Sequence, residues 1–146
     1  MSTQPPAGVV ERARAGQKSL GALTVAERLG HLRLLRHAIT ARSEEIIDLV
    51  QAETGKSRSD ILMSEIFGTL DSIAWLEANA EAALADEKIA TPMTMMGKKS
   101  RIWYQPRGVI LIIAPWNYPF FQAIVPIAQA LAAGNAVVAK PSEVTP

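Results

Sequence analysis

The sequence of 146 residues contains no cysteine and only two histidines. Without cysteine, these residues form no disulfide, no zinc site with thiolate ligands and no cysteine nucleophile. The histidines, His31 and His37, are six positions apart in a region predicted to be helical. Histidine pairs that bind a metal from one helical face are three or four positions apart. We therefore expect both histidines to be structural, and we expect no metal site.

The sequence also has little excess of either charge, since 15 basic and 14 acidic residues give a net charge of +1. We therefore do not expect nucleic acid binding. Residues 1–16 lack the hydrophobic core of a secretion signal, which predicts a cytoplasmic protein. The apolar stretch at 109–133 is interrupted by Pro115, Pro119 and Pro126, so we do not expect it to span a membrane.

A β-α-β pattern between residues 105 and 146 is the strongest structural signal that is present. Val109–Ile113 is a short β-branched run, typical of a strand covered on both faces. Residues 120–133 are almost entirely apolar and predict a helix buried nearly all round. Gly134 and Asn135 end that helix, and residues 136–139 predict a second strand. Ligands of such parallel sheets collect at the carboxyl ends of the strands.

Helices are predicted for the first half of the chain. A short helix at 9–18 is expected to stop there, because Gly16 and Gly21 disfavour its continuation. Thr24 and Glu27 have the spacing of a capping box. They precede an apolar stripe of an amphipathic helix, formed by Val25, Leu29, Leu32, Leu35 and Ile39.

Two further helices follow that stripe. Ser43 is predicted to cap a continuation that Gly55 ends. Ser57 or Ser59 is predicted to cap a third helix that extends to about Ala85. Pro92 and Gly97 then indicate a loop at 90–97, and the alternating pattern at 99–105 predicts a strand with one exposed face.

The motifs PRGVILIIAPWNYP and GNAVVAKPSEVTP resemble those of the aldehyde dehydrogenase superfamily. The spacing from Asn117 to Lys140 resembles that of the class 3 branch, which includes fatty and aromatic aldehyde dehydrogenases. The segment Glu53-Thr54-Gly55-Lys56 is also similar to one common in the family. The resemblance extends over essentially the whole chain, but it covers only the N-terminal part of the family's length.

This resemblance implies an α/β fold, in which N-terminal helices precede the first β-α-β unit of a Rossmann-like cofactor domain. Residues 1–97 are then the N-terminal helical part of the cofactor-binding domain. Residues 98–106 are a strand of an arm used in oligomerisation, and residues 107–146 are the first β-α-β unit. The complete enzyme is expected to be a homo-oligomer, a dimer or a tetramer.

Asn117 is the candidate catalytic residue. Its amide N–H groups can donate to an oxygen that carries developing negative charge. An alternative from the residues alone is that Asn117 caps the helix that starts near Pro119, because asparagine is favoured at that position. The resemblance implies the catalytic role, in which the asparagine of the Pro-Trp-Asn motif stabilises the thiohemiacetal oxygen.

Lys140 and Glu143 follow the second predicted strand and are candidate cofactor ligands. A lysine there could simply extend into solvent from the sheet edge, whereas the resemblance assigns it to the hydroxyls of the adenosine ribose. A carboxylate at Glu143 can accept from the ribose 2′-hydroxyl and would repel a 2′-phosphate, which slightly favours NAD over NADP. The class 3 enzymes use both cofactors. The other positions expected to contact the cofactor are Ile113, Ala114, Pro115, Trp116 and Ser142.

The implied activity is NAD(P)-dependent oxidation of an aldehyde to a carboxylic acid through a cysteine thiohemiacetal. The family uses a cysteine nucleophile and a glutamate that activates water, and both lie beyond the region matched here. We therefore expect residues 1–146 alone to be inactive. We also expect two strands to leave apolar sheet surface uncovered. The alternative function is a non-catalytic, truncated relic or interaction fragment that binds a full-length homologue.

Overall fold

The computed structural model describes residues 8–146 and has a mixed α/β architecture in which helices precede short strands. A π-helical segment, Leu62–Phe67, joins two of the helices, and a 3-10 turn lies at Met93–Met95. The helices are α1 (Val9–Ala22), α2 (Val25–Ala41), α3 (Ser43–Thr54), α4 (Arg58–Ile61), α5 (Gly68–Ala83) and α6 (Pro119–Ala132). The strands are β1 (Glu87–Ile89), β2 (Ser100–Ile102), β3 (Val109–Ile113) and β4 (Ala136–Lys140).

Helix α1 is longer than predicted and continues through Gly16 and Gly21 to Ala22. The prediction that these glycines stop the helix was wrong because α1 packs against β3 and β4. The side chain of Gln17 also donates to the carbonyl of Gly134 at 3.2 Å. These tertiary contacts outweigh the weak intrinsic preference of glycine against helix.

The capping box at the start of α2 is confirmed. The backbone N–H of Thr24 donates to Glu27 Oε2 at 2.7 Å, and the N–H of Glu27 donates to Thr24 Oγ1 at 3.2 Å. Gly55 ends α3 in the left-handed conformation, with φ of 71°. Ser43, however, is the first residue of α3 rather than its cap, so that prediction was wrong. Arg42 occupies the cap position and caps without a side-chain hydrogen bond.

The third predicted helix is a continuous helical segment from Arg58 to Ala83 with a π-helical stretch inside it. Ser57 caps it, since its Oγ accepts from the N–H of Asp60 at 3.2 Å. The helix ends two residues before the predicted Ala85. Strand β1 follows and pairs with β2 in antiparallel orientation. Strand β1 was not predicted and β2 is shorter than the predicted 99–105, because three-residue strands carry little periodic signal.

The core lies between α2, α5 and α6. Its main cluster contains the predicted α2 residues Leu29, Leu32 and Ile39 together with Ile73 and Ala128. A second cluster joins α3 to the following helical segment through Ile47, Val50, Ile61 and Ile66. The apolar stripe predicted for α2 therefore faces the first of these clusters.

Strand β3 has the predicted bounds and pairs in parallel with β4, which continues one residue beyond the prediction to Lys140. Its burial differs from the prediction, since Ile112 is buried but Leu111 and Ile113 are 61% and 66% exposed. Helix α6 is mostly half-buried rather than buried all round. Leu111 and Ile113 alternate with the buried Ile112 and so lie on the same face of β3, which no other element among residues 8–146 covers at these two positions.

An ion-pair network connects α2 to α5. Arg36 Nε donates to Glu77 Oε1 at 2.7 Å, and Arg33 Nε donates to Glu77 Oε2 at 3.3 Å. The hydrogen bond from Arg36 is the main cause of a lowered pKa at Glu77, whose ordinary value is 4.5. A carboxylate with a lowered pKa stabilises the fold above its unfolded-state pKa and loses that contribution as the pH falls through its native pKa.

We therefore expect Glu77→Gln to be less stable than the unmodified protein at pH 7 and to show a shallower loss of stability below pH 4.5. Urea unfolding of both proteins at pH 7 and at pH 3 measures this difference. If the two proteins differed in free energy of unfolding by the same amount at pH 7 and at pH 3, Glu77 would not contribute to stability through its charge.

Candidate functional site

The parallel pairing of β3 and β4 brings the segments after both strands to one edge of the sheet. Ile113 at the end of β3 is the register partner of Lys140 at the end of β4. The N–H of Ala114 donates to the carbonyl of Lys140 at 3.0 Å, which extends the pairing past the strand. The turn at 114–118 and the segment at 140–143 therefore start side by side.

Asn117 lies on the exposed turn between β3 and α6. It does not cap α6, because the cap residue is Tyr118, the residue after it. The capping alternative is therefore wrong. The side chain of Asn117 has no hydrogen-bond partner among residues 8–146, so its N–H groups are free to donate to a bound molecule.

A buried carboxylate lies beneath this turn. Glu65, in the π-helical segment, is completely buried, and its Oε1 accepts from Lys56 Nζ at 2.8 Å. Its Oε2 accepts from the backbone N–H of Phe121, in the first turn of α6, at 2.9 Å. The Lys56 ammonium also lies 3.6 Å from the centroid of the Tyr118 ring. These contacts tie two separate segments, the loop at Lys56 and the π-helical segment, to the start of α6.

The turn and the residues at the end of α3 border an open cleft of about 360 Å³. This brings two motifs that are about 60 residues apart in the sequence to a common site. The cleft is lined by Thr54, Lys56, Trp116, Asn117 and Tyr118.

Neither Glu65 nor Lys56 was predicted from the sequence to have a role at this site. A signal was present at Glu65, which lies four residues after Ile61 and four before Thr69 on the same helical stripe. Both of these neighbours are fully buried. A carboxylate in a buried stripe requires a partner, and Lys56 supplies it.

At the β4 side of the edge, Lys140 and Glu143 form an exposed ion pair, with Nζ 2.5 Å from Oε1. The hydrogen bond from Lys140 is the main cause of a lowered pKa at Glu143. Ser142 is buried, and its Oγ accepts from the N–H of Val144 at 3.1 Å. Lys140 and Glu143 are therefore accessible to a ligand, whereas the Ser142 side chain already bonds the backbone.

The predicted cofactor-lining residues after β3 differ in accessibility. Ile113 and Trp116 are 66% and 60% exposed, and Pro115 is also exposed. Ala114 is buried and its N–H is already bonded to the carbonyl of Lys140. Exposed apolar surface at this edge therefore comes from Ile113, Pro115 and Trp116.

The described part of the chain shows neither a metal site nor a membrane-spanning helix. His31 and His37 are both exposed on α2. Within residues 8–146, no three histidine, aspartate or glutamate side chains gather closely enough to hold a metal ion. No helix in the same range combines the length and apolar character that a membrane crossing requires.

The sequence model of the Aldehyde dehydrogenase family matches residues 7–146. The chain is 35% identical over 118 residues to aldehyde dehydrogenase family 3 member A2 of Pongo abelii, covering 81% of this chain and 24% of that protein. It is 36% identical over 138 residues to the dimeric NADP-preferring aldehyde dehydrogenase of Canis lupus familiaris, covering 94% of this chain and 30% of that protein.

The fold matches a solved structure of Staphylococcus aureus AldH in a substrate-bound state, with a TM-score of 0.87 and 31% identity. That match covers 94% of this chain and 31% of the solved chain. This chain thus spans 24% to 31% of these proteins and corresponds to their N-terminal portion. The expected α/β fold and the resemblance to class 3 enzymes are confirmed, and the chain belongs to the aldehyde dehydrogenase family.

Proposed function

We propose that this chain is the N-terminal part of an NAD(P)-dependent aldehyde dehydrogenase, in which Asn117 stabilises the oxygen of the reacting aldehyde. The proposal rests on the accessibility of the Asn117 side chain and on its lack of hydrogen bonds. It is exposed in a cleft beside the ends of two parallel strands, and no hydrogen bond within residues 8–146 engages it. An accessible amide donor of this kind suits an oxygen that gains negative charge.

The reaction also requires a thiolate to attack the aldehyde carbon, and no cysteine is present in residues 1–146. Attack converts the carbonyl oxygen into an oxyanion, which an amide N–H donor stabilises more strongly than it stabilises the aldehyde. When bound, the nicotinamide cofactor supplies the hydride acceptor. The contribution of this chain is therefore to bind and orient, and the nucleophile must come from sequence that is absent from these residues.

The cofactor's adenosine ribose is assigned to Lys140 and Glu143. Both side chains are largely exposed at the strand end where dinucleotides bind in open α/β sheets. Their mutual ion pair is solvent-accessible, so hydroxyl groups can replace it at little cost. With the cofactor bound, the Lys140 ammonium would donate to a ribose oxygen and the Glu143 carboxylate would accept from the 2′-hydroxyl. The exposed surface of Ile113, Pro115 and Trp116 supplies apolar contacts.

Glu143 is expected to produce a small preference for NAD. One similar relative is named NADP-preferring, so a carboxylate here is not expected to exclude NADP. We expect a preference for NAD of less than about tenfold, which corresponds to about 1.4 kcal/mol. We expect Glu143→Gln to lower the KM for NADP relative to that for NAD, because the neutral amide no longer repels a 2′-phosphate. Steady-state kinetics with both cofactors measure the ratio.

Glu45→Gln is the matched control, because Glu45 also forms an exposed ion pair with a cation three residues away, Arg42. An unchanged ratio in Glu143→Gln, or the same change in Glu45→Gln, would remove Glu143 from cofactor discrimination.

The activity itself is tested by following NAD(P)H formation with a panel of aldehydes. Residues 1–146 alone are expected to give no turnover, because no thiolate nucleophile is available. The polypeptide encoded by the whole reading frame that contains these residues is expected to be active and to carry a cysteine and a glutamate further along. Turnover by residues 1–146, or a whole reading frame without a cysteine, would contradict the proposed function.

The second candidate is an interaction fragment that binds a full-length homologue. The exposed apolar side chains of Leu111 and Ile113 favour it, because they leave one sheet face open to another polypeptide. A stop codon after codon 146 together with stable co-purification of a homologue would support this function. The division into residues 1–97, 98–106 and 107–146, the homo-oligomer and the cytoplasmic location stay predictions.

A further inference from the structure

The buried Glu65 carboxylate lies in a position that the reaction itself does not explain. Its relative exposure is 0%, and its two oxygens serve different partners, the Lys56 ammonium at 2.8 Å and the Phe121 N–H at 2.9 Å. Phe121 is the third residue of α6, which starts two residues after Asn117. Glu65 is therefore anchored on one helix while bonding the first turn of another.

The first turn of a helix leaves backbone N–H groups without partners inside the helix. At α6, Tyr118 occupies the cap position and accepts no hydrogen bond through its side chain. Glu65, on a distant segment, accepts from one of these N–H groups, that of Phe121. Its negative charge is also favourable at the positive end of the helix dipole. The start of α6 is thus fixed by a residue 56 positions earlier in the chain.

Lys56 adds a second restraint on the same turn. Its Nζ bonds Glu65 and lies 3.6 Å from the Tyr118 ring centroid, a distance typical of a cation–π contact. The start of α6 also packs closely against Gly68, on the helical segment that carries Glu65. A β-carbon placed on Gly68 would lie 3.0 Å from Cε2 of Phe121, so the helix carrying Glu65 approaches α6 closely.

We propose that Lys56 and Glu65 are positioning residues for Asn117, an inference that rests on the proposed role of Asn117 at the reacting oxygen. Glu65 holds the residue four positions after Asn117, and Lys56 holds the ring of the residue directly after it. The amide of Asn117, which makes no hydrogen bond of its own within residues 8–146, is oriented through these neighbours. Loss of the restraint is expected to misplace the donor, which lowers the rate of the chemical step more than it weakens aldehyde binding.

The test uses the polypeptide encoded by the whole reading frame and compares Lys56→Met, Lys56→Arg and Glu65→Gln with Glu77→Gln. The last variant is the matched control, because Glu77 is also a mostly buried carboxylate held by cations, but at the α2–α5 contact. Thermal unfolding is measured first, and the kcat and KM for the aldehyde are then measured below the unfolding temperature.

We expect Lys56→Met and Glu65→Gln to lower kcat by about tenfold with KM changed by less than about twofold. Lys56→Arg should recover most of the loss, since a guanidinium can bond the carboxylate and lie over the Tyr118 ring. Glu77→Gln should lower stability without lowering kcat. Equal kcat values for Glu65→Gln and Glu77→Gln, or equal losses in Lys56→Met and Lys56→Arg, would overturn the positioning role.

A second readout separates this inference from the proposed function. If Asn117→Ala leaves kcat unchanged, the proposed role of Asn117 fails, and the positioning is judged by NMR of the Asn117 side-chain amide. That signal should shift in Lys56→Met and stay unchanged in Glu77→Gln. If Asn117→Ala lowers kcat, adding Lys56→Met to it should cause little further loss, because both changes remove the same oriented donor. Additive losses would contradict the inference, and so would an unshifted amide signal.

Discussion

Replacement of Asn117 by alanine is expected to lower the kcat for aldehyde oxidation by about 10²–10³-fold in the polypeptide that contains this chain. The figure is the typical cost of removing one oxyanion donor. The KM for the aldehyde should change little, because the hydrogen bond strengthens only as the oxygen gains charge. Stability should also change little, since the side chain is exposed and makes no hydrogen bond within residues 8–146.

Asn79→Ala provides the control for this experiment. Asn79 is an exposed asparagine on α5 whose amide bonds the carbonyl of Trp75 at 2.8 Å, away from the cleft. Asn79→Ala should therefore leave kcat and KM unchanged. Asn117→Asp tests the sign of the electrostatics, because a carboxylate beside the developing oxyanion is repulsive and should be at least as harmful as alanine. A kcat for Asn117→Ala similar to that of Asn79→Ala would exclude the proposed role.

Replacement of Arg28 by methionine is expected to lower the free energy of unfolding by about 2–4 kcal/mol. Arg28 is 9% exposed, and its Nε donates to the carbonyl of Ala132 at 2.9 Å. Its Nη1 donates to the carbonyl of Leu23 at 2.8 Å. The side chain thus connects the last turn of α6 to the end of α1, and its positive charge is favourable at the C-terminal end of α6. Methionine retains much of the volume but leaves two carbonyls without their donor.

Arg14→Met on the exposed face of α1 is the control for the change from arginine to methionine, and its effect should be small. Urea unfolding followed by circular dichroism measures both variants. Arg28→Lys should fall between methionine and the unmodified protein, because an ammonium cannot reproduce the two-directional geometry of a guanidinium. A loss below about 0.5 kcal/mol in Arg28→Met, the range of ordinary surface changes, would show that Arg28 is dispensable.

Local signals in the sequence were sufficient to predict the structure wherever a single short segment determines the backbone conformation. The capping box of Thr24 and Glu27 and the end of α3 at Gly55 were predicted correctly, because the groups that set them are within a few residues. The bounds of β3 were also predicted, since its β-branched run ends in a proline. Such features depend on backbone geometry and nearby hydrogen bonds, which a sequence displays directly.

Burial and long-range pairing could not be predicted in the same way. The apolar residues of α6 predicted a helix buried all round, but apolar character does not tell how many neighbours the described chain places around it. Gly16 and Gly21 predicted an early end to α1, which contacts with β3 and β4 prevent. In both cases the deciding interaction comes from residues that are distant in sequence.

The sequence by itself determined the α/β fold, the family and the candidate residues Asn117, Lys140 and Glu143, because these depend on motifs and their spacing. The tertiary structure alone decided that Asn117 is free of a capping role and that Glu65 and Lys56 support the turn beside it. The physical reason is that a buried charge must find its partners in space. Those partners are nine and 56 residues away from Glu65 along the chain.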